Sequence, residues 1–207
     1  MRHIPSSATT EIEVLKFSDA LQMSLLPSSE YDINKWLYVP NFYSEYRYIL
    51  GTCGNNPLIC IGINPSTAKP DALDRTLQSV ERVALNNGFD SFIMFNVYAQ
   101  RATSPDDMEQ TFNKELHNEN MKAFEYILKI SDKTPNIWAA WGAIIEKRDY
   151  LASCVMDMVN IGKQYDANWY TAGTRSVKGH PHHPLYLKST SPLDSFSDIV
   201  EYLDSLI

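Results

Sequence analysis

Asn64 closes an apolar run, Pro57-Leu58-Ile59-Cys60-Ile61, and heads a short polar cluster, Asn64-Pro65-Ser66-Thr67. An amide there can orient a water or a ligand without taking a proton. The two hydroxyls can cradle a phosphate or act as nucleophiles, although no glycine-rich loop precedes them, which speaks against a P-loop. Three later segments repeat the design: an apolar run that ends in polar or aromatic residues. Asn96, Tyr98 and Arg101 follow the second, Trp141-Gly142 the third, and His180, His182, His183, Leu185 and Tyr186 the fourth. An amide, a guanidinium, an indole and imidazoles are groups that recognise and polarise a ligand. Three histidines within four residues also invite a metal, but no acid or cysteine stands at ligand spacing, so neither a metal nor another cofactor is expected. Duller readings stand beside these. Asn64 before Pro65 can shape a turn, Arg101 can pair with Asp74 or Asp107, Trp141 can be core, and His183 can cap a helix.

The elements that must position these groups can be read from periodicity. Leu58 to Ile63, Ser91 to Tyr98, Asn136 to Trp141 and Asn168 to Ala172 are short apolar runs, read as buried strands. Asp74 to Asn87 has helical spacing and a glycine stop. Ser104-Pro105-Asp106-Asp107 and Ser191-Pro192-Leu193-Asp194 each carry a hydroxyl, a proline and an acid, which predicts a helix start; the first of these helices carries a break near His117-Asn118. A helix is expected from Gly142 to about Asn160, another over Glu11 to Leu26, and a strand or hairpin arm around Tyr46 to Leu50 before a turn at Gly51 to Asn56. Alternating strands and helices predict an α/β fold, with three layers (α/β/α) around a central, mainly parallel four-stranded sheet. One domain over 1–207 is expected, an N-terminal extension of unassigned structure (1–40) preceding the α/β core (41–207). In a parallel sheet the strand-ending turns share the carboxyl edge, so the four clusters converge on one crevice.

Composition narrows the setting. No apolar run approaches the roughly 20 residues of a membrane span, and residues 1–10 lack the apolar stretch of a signal peptide. Three widely spaced cysteines suggest a reducing compartment. A cytoplasmic protein without a membrane or an obligate protein partner is therefore expected. The formal net charge is −7, yet Ala167 to Leu193 contains no Asp or Glu and holds Arg175, Lys178, Lys188 and three histidines. Such a window suits an anionic ligand; a chance gap in the acids reads equally well.

Two resemblances add to this. Arg47-Tyr48, Asn64 to Ala68, Asp74-Arg75-Thr76, Asn96 to Thr103, Trp141-Gly142 and His183 to Tyr186 resemble the marks of a bacterial and phage family known only as a domain of unknown function. Gly62-Ile63-Asn64-Pro65 and His183-Pro184 resemble the two active-site motifs of the uracil-DNA glycosylase superfamily, mismatch-specific branch. This chain has Ser66 where that branch has glycine, Leu185 where it has serine, and no aspartate in the first motif. The second resemblance implies a uracil-DNA glycosylase-like fold and a DNA glycosylase that excises a damaged or modified pyrimidine by N-glycosidic bond hydrolysis. It also implies a setting in defence against phage with modified DNA. On it, Asn64 positions the water and His183 is the electrophile; Ile63, Pro65, Ser66 and Gly142 shape the pocket, and Tyr98 or Trp141 stacks on a flipped base whose edge Asn96 reads. Arg101, Arg175 and Lys178 hold phosphates, with His180 and His182 beside them, and Leu185 or Tyr186 wedges into the vacated stack. The alternatives are a non-catalytic binder of nucleotides or nucleic acid on the same fold, and a hydrolase of free nucleotides.

Overall fold

The structure, a computed structural model, describes residues 2–130 and 133–207; Met1, at the head of the stretch searched for a leader, lies outside them, as do Ser131 and Asp132. Among the described residues seven strands form one sheet in the order β1-β2-β4-β3-β5-β6-β7: β1 Trp36–Val39, β2 Ile49–Thr52, β3 Pro57–Gly62, β4 Ser91–Asn96, β5 Asn136–Ala139, β6 Asn168–Ala172 and β7 Leu193–Ser195. The helices are α1 Phe17–Ser24, α2 Arg75–Asn86, α3 Lys114–Lys129, α4 Leu151–Lys163 and α5 Ile199–Asp204. The α/β order read from the sequence holds, but the sheet is not four-stranded. The middle strands β4, β3, β5 and β6 are parallel, and β1, β2 and β7 join antiparallel at the flanks.

β3 is the middle strand of the seven. Every residue of β3 and of β4 is buried, because helices cover both faces and a continuous apolar run is what such a strand requires. Ile59, Ile61, Ile93 and Phe95 face the layer built by α1, α3, α4 and α5. Leu58, Cys60, Phe92 and Met94 face α2, which contributes Leu77, Val80 and Val83. Each such side chain removed from water is worth about 1.5–3 kcal/mol. The chain leaves β3 by way of α2 towards β4 and leaves β5 by way of α4 towards β6. The loops therefore diverge at the carboxyl end of β3, a topological switch point where α/β sheets open a crevice.

Several expected boundaries move. Ser104 does cap, its hydroxyl accepting from the Asp106 N–H at 3.4 Å, but only a single 3-10 turn follows. The Arg148 guanidinium takes the carbonyls of Asp106, Met108 and Glu109, and Tyr150 Oη also donates to Glu109. Those carbonyls are unavailable to a helix, so α3 starts later, capped by Asn113, and runs unbroken through His117 and Asn118. Ser191-Pro192-Leu193-Asp194 starts no helix: Leu193 to Ser195 pair with the outer edge of β6 instead, a tertiary pairing that outweighs the local cap signal. The helix expected after Gly142 divides into a 3-10 segment, Gly142–Lys147, and α4. That over Glu11 to Leu26 shortens to α1 behind a 3-10 turn, Thr9–Glu11. Gly51 and Thr52, read as a turn, belong to β2. The residues before position 40 are tied into the rest: Phe17 and Ala20 are core, and Thr9 Oγ1 donates to Glu109 at 2.7 Å. Among the described residues no helix is long and apolar enough to cross a membrane.

Gly51 lets β2 approach β4. A Cβ there would lie 2.4 Å from the Phe92 carbonyl oxygen and 2.9 Å from the Ile93 Cα, and neither backbone atom can swing aside. Gly51→Ala is expected to cost about 1–3 kcal/mol, read as a lower midpoint in urea unfolding.

Candidate functional site

The turn after β3 is held on three sides. The backbone N–H groups of Val97 and Tyr98 donate to the carbonyls of Gly62 and Ile63, and the Ala102 N–H donates to Pro65, at 2.8 to 2.9 Å. Asn64 Nδ2 donates to the Ala102 carbonyl at 2.8 Å and to its neighbour Pro65 at 3.1 Å. No described residue donates to Asn64 Oδ1, so the acceptor end of this amide remains for a ligand or water. Behind the turn, Arg101 donates to the carbonyls of Ser66 and Ala68 and to Tyr38 Oη, with its guanidinium 4.3 Å from the centre of the Tyr43 ring. Ser66 Oγ meets Thr103 Oγ1 at 3.1 Å.

In front of the turn is a cleft of about 430 Å³, within the range of small-molecule sites. Ile63, Asn64, Pro65 and Ser66 form one wall. Asn96, at the end of β4, is 1 % exposed, and neither its amide nitrogen nor its amide oxygen has a hydrogen-bond partner among the described residues. Its backbone is fixed by Asn120 of α3, whose Nδ2 donates to the Asn96 carbonyl at 3.0 Å, and by pairing with Gly62. Asp74 caps α2, accepting from the Leu77 N–H at 3.0 Å; its second oxygen accepts from no described residue. His183 closes the far side. Ser79 of α2 donates to the Pro184 carbonyl at 2.9 Å, so one helix sets both the carboxylate and the imidazole. The Leu185 N–H donates to His183 Nδ1 at 3.3 Å, which puts the ring proton of the neutral form on Nε2. Burial pulls the imidazole below its ordinary 6.5, opposed by the charge of Asp74.

A second cavity, of about 360 Å³, adjoins the first and shares Ile144 and His183 with it. Gly142, His180, His182, Leu185 and Tyr186 line this second cavity. Gly142 has φ +64° and sits under His183, where a Cβ would lie 3.7 Å from the His183 Cβ. Leu185 and Tyr186 are exposed.

Several residues singled out in the sequence lie elsewhere. Tyr98 is buried among Phe112 and Tyr150 and donates to Glu109. Trp141 packs on Trp169 and Phe196 and donates to Tyr202 Oη at 3.2 Å. Neither ring reaches the cleft to stack on a base, because each side chain at these strand ends points into the helical layer. Arg101 is 0 % exposed and serves the turn, in place of a ligand phosphate. It pairs with neither Asp74 nor Asp107; the latter holds Arg2. Arg175 pairs with Asp198 at 2.7 Å, and Lys178 with Glu146 at 2.9 Å. His180 is buried between Tyr202 and Glu146. The window without acids in sequence is thus met by acids in space. Among the described residues no cluster of three or more His, Cys, Asp or Glu is placed to hold a metal.

Two cleft residues stood in the sequence only as family marks, with Asp74 also a candidate partner for Arg101, and were given no place in the site. Asp74 places a carboxylate on the cleft, ten residues after Asn64. Arg47 lines the cleft from between two buried tyrosines. A charged residue inside an aromatic strand pattern was the available signal.

A family model described as "Protein of unknown function (DUF1643)" matches residues 47–185. The chain belongs to this family. Its span begins at Arg47 and ends two residues past His183, so the DUF1643 region contains the lining of the cleft from first residue to last. No curated protein and no solved structure matches the chain, and nothing in these comparisons shows a relationship to the uracil-DNA glycosylase superfamily.

With its ring desolvated, His183 should titrate below 6.5 in the folded protein. Folding therefore disfavours its proton, and this site's contribution to stability falls as pH drops through 6.5. An NMR titration of the imidazole carbons is expected to give the lowered midpoint, and His183→Gln to remove that resonance without shifting those of the other histidines.

Proposed function

We propose that the cleft takes a nucleobase and hydrolyses its N-glycosidic bond, with DNA carrying a flipped, modified pyrimidine as substrate. The observation that carries this reading is Asn96. A buried amide with donor and acceptor both unpaired is costly unless a ligand completes it, and a pyrimidine's Watson–Crick edge offers a donor and an acceptor side by side. Asn64 Oδ1 and the second oxygen of Asp74 are acceptors facing the same space, suited to orient the attacking water. The transition state is oxocarbenium-like, so positioning of that water and stabilisation of the departing base carry most of the work. His183, neutral and protonated on Nε2, can donate to a base carbonyl as charge develops there. Water adds to the anomeric carbon, the C–N bond breaks, and the base leaves with the pair of electrons and then a proton. Exposed Leu185 and Tyr186 suit a wedge at the mouth.

One observation favours a second substrate for the same chemistry, a free nucleotide: Arg175 and Lys178, read in the sequence as DNA-phosphate contacts, are already held by acids.

The test is base release. Duplex and single-stranded oligonucleotides bearing uracil, a thymine mismatch, or hydroxymethylated or glucosylated cytosine are incubated with the protein, and abasic sites are scored by alkaline cleavage. Release from at least one is expected. Asp74→Asn should slow single-turnover release by about 10²–10⁴-fold and Asn64→Ala by about 10²–10³-fold. Intact strands throughout, together with intact mononucleotides, would end the glycosidase reading.

A further inference from the structure

Arg47 is among the largest fully buried side chains, at 1 % exposure, and it faces the cleft. Of its five N–H donors only Nη1 has a partner among the described residues, the Ala68 carbonyl at 3.1 Å. Its Nε is buried with none. Arg101 donates to the same carbonyl at 3.4 Å, so two guanidiniums crowd one oxygen, and neither makes an ion pair with a described carboxylate. Burial, then the charge of Arg101, lowers Arg47 to about 9, which leaves it a cation at neutral pH. Arg101 has two carbonyls, a hydroxyl and an aromatic face as partners, although its Nε too is buried with none; Arg47 has a single carbonyl. Buried cations are ordinarily paired, and a planar fork with free donors matches the two oxygens of a phosphate. Thr67, Thr76 and Arg75, further donors, also line the cleft.

We propose that Arg47 is the phosphate anchor of the cleft: it binds a phosphate of the nucleotide whose base meets Asn96. This rests on the nucleotide reading above, and it gives that reading a second fixed point. The phosphate is either the terminal group of a free nucleotide or the backbone of a DNA strand; the chemistry at Arg47 is the same.

The full chain at low salt is titrated with inorganic phosphate, with deoxyuridine and deoxycytidine, with their 5′-monophosphates, and with an unphosphorylated trinucleotide carrying the same base in its middle. Binding is read by calorimetry and by the Arg47 Nε–H resonance. At least one monophosphate or the trinucleotide is expected to bind about tenfold or more tighter than its nucleoside and to shift the Arg47 resonance. Arg47→Gln should erase that preference, and Arg47→Lys should keep part of it. Tighter monophosphate binding identifies a free nucleotide, tighter trinucleotide binding a backbone phosphate. If no nucleoside binds but inorganic phosphate still shifts Arg47 Nε–H, the base reading fails and the anion anchor stands. Nucleosides that bind as tightly as their phosphorylated forms, or an Arg47 resonance that no phosphate moves, overturn the anchor. The resonance is read in the wild-type chain, so the result does not depend on Arg47→Gln folding.

Discussion

The middle strand is the constraint on which the rest is arranged. β3 is hydrogen-bonded along both edges, to β4 and β5, and packed on both faces. Its six residues carry no side chain more polar than that of Cys60. The first polar side chain after it is Asn64, and there the chain must also turn back towards α2. The bonds from Val97, Tyr98 and Ala102 and the buried clamp of Arg101 all fix where that turn lies. The cleft is thus a by-product of ending a fully buried strand, and its polar groups are those the chain needed, or could tolerate, at that edge.

α2 links the two sides of the cleft. Its cap, Asp74, is at one end of its first turn, and Ser79 reaches across to the segment of His183 and Pro184. Moving this one helix would move the carboxylate and the imidazole together, with Asn64 and Asn96 left on the sheet. The site therefore has a rigid half, made by strand ends, and a half that rides on a helix and the loop bound to it.

Much of this was legible from the residues, and the misses share a cause. The four parallel strands announced themselves because two covered faces demand unbroken apolar runs. Asn64, Asn96 and His183 followed from strand ends. The flanking strands were less visible: β7 is three residues behind a sequence that reads as a helix cap, and its pairing with β6 is tertiary. Tyr98, Arg101 and Trp141 were placed on the correct edge, but which way a side chain points at a strand end depends on a single residue of register. The basic window misled because Glu146 and Asp198 come from other elements. Arg47 and Asp74 were named as family marks but given no place in the site, because a charge in an aromatic strand and a cap before a helix each have a ready structural account.

Asn96 has one more property. Among the described residues none holds its amide in either orientation: both atoms lack partners, and Asn120 donates only to backbone carbonyls. A half-turn about its last side-chain bond exchanges oxygen for nitrogen. In the proposed base-reading role Asn96 is unkeyed: it can meet a ring that presents a carbonyl beside an N–H, or one that presents an amino group beside a bare nitrogen. Uracil-like and cytosine-like edges are then equal to it, and choice between them falls to whatever touches the rest of the ring.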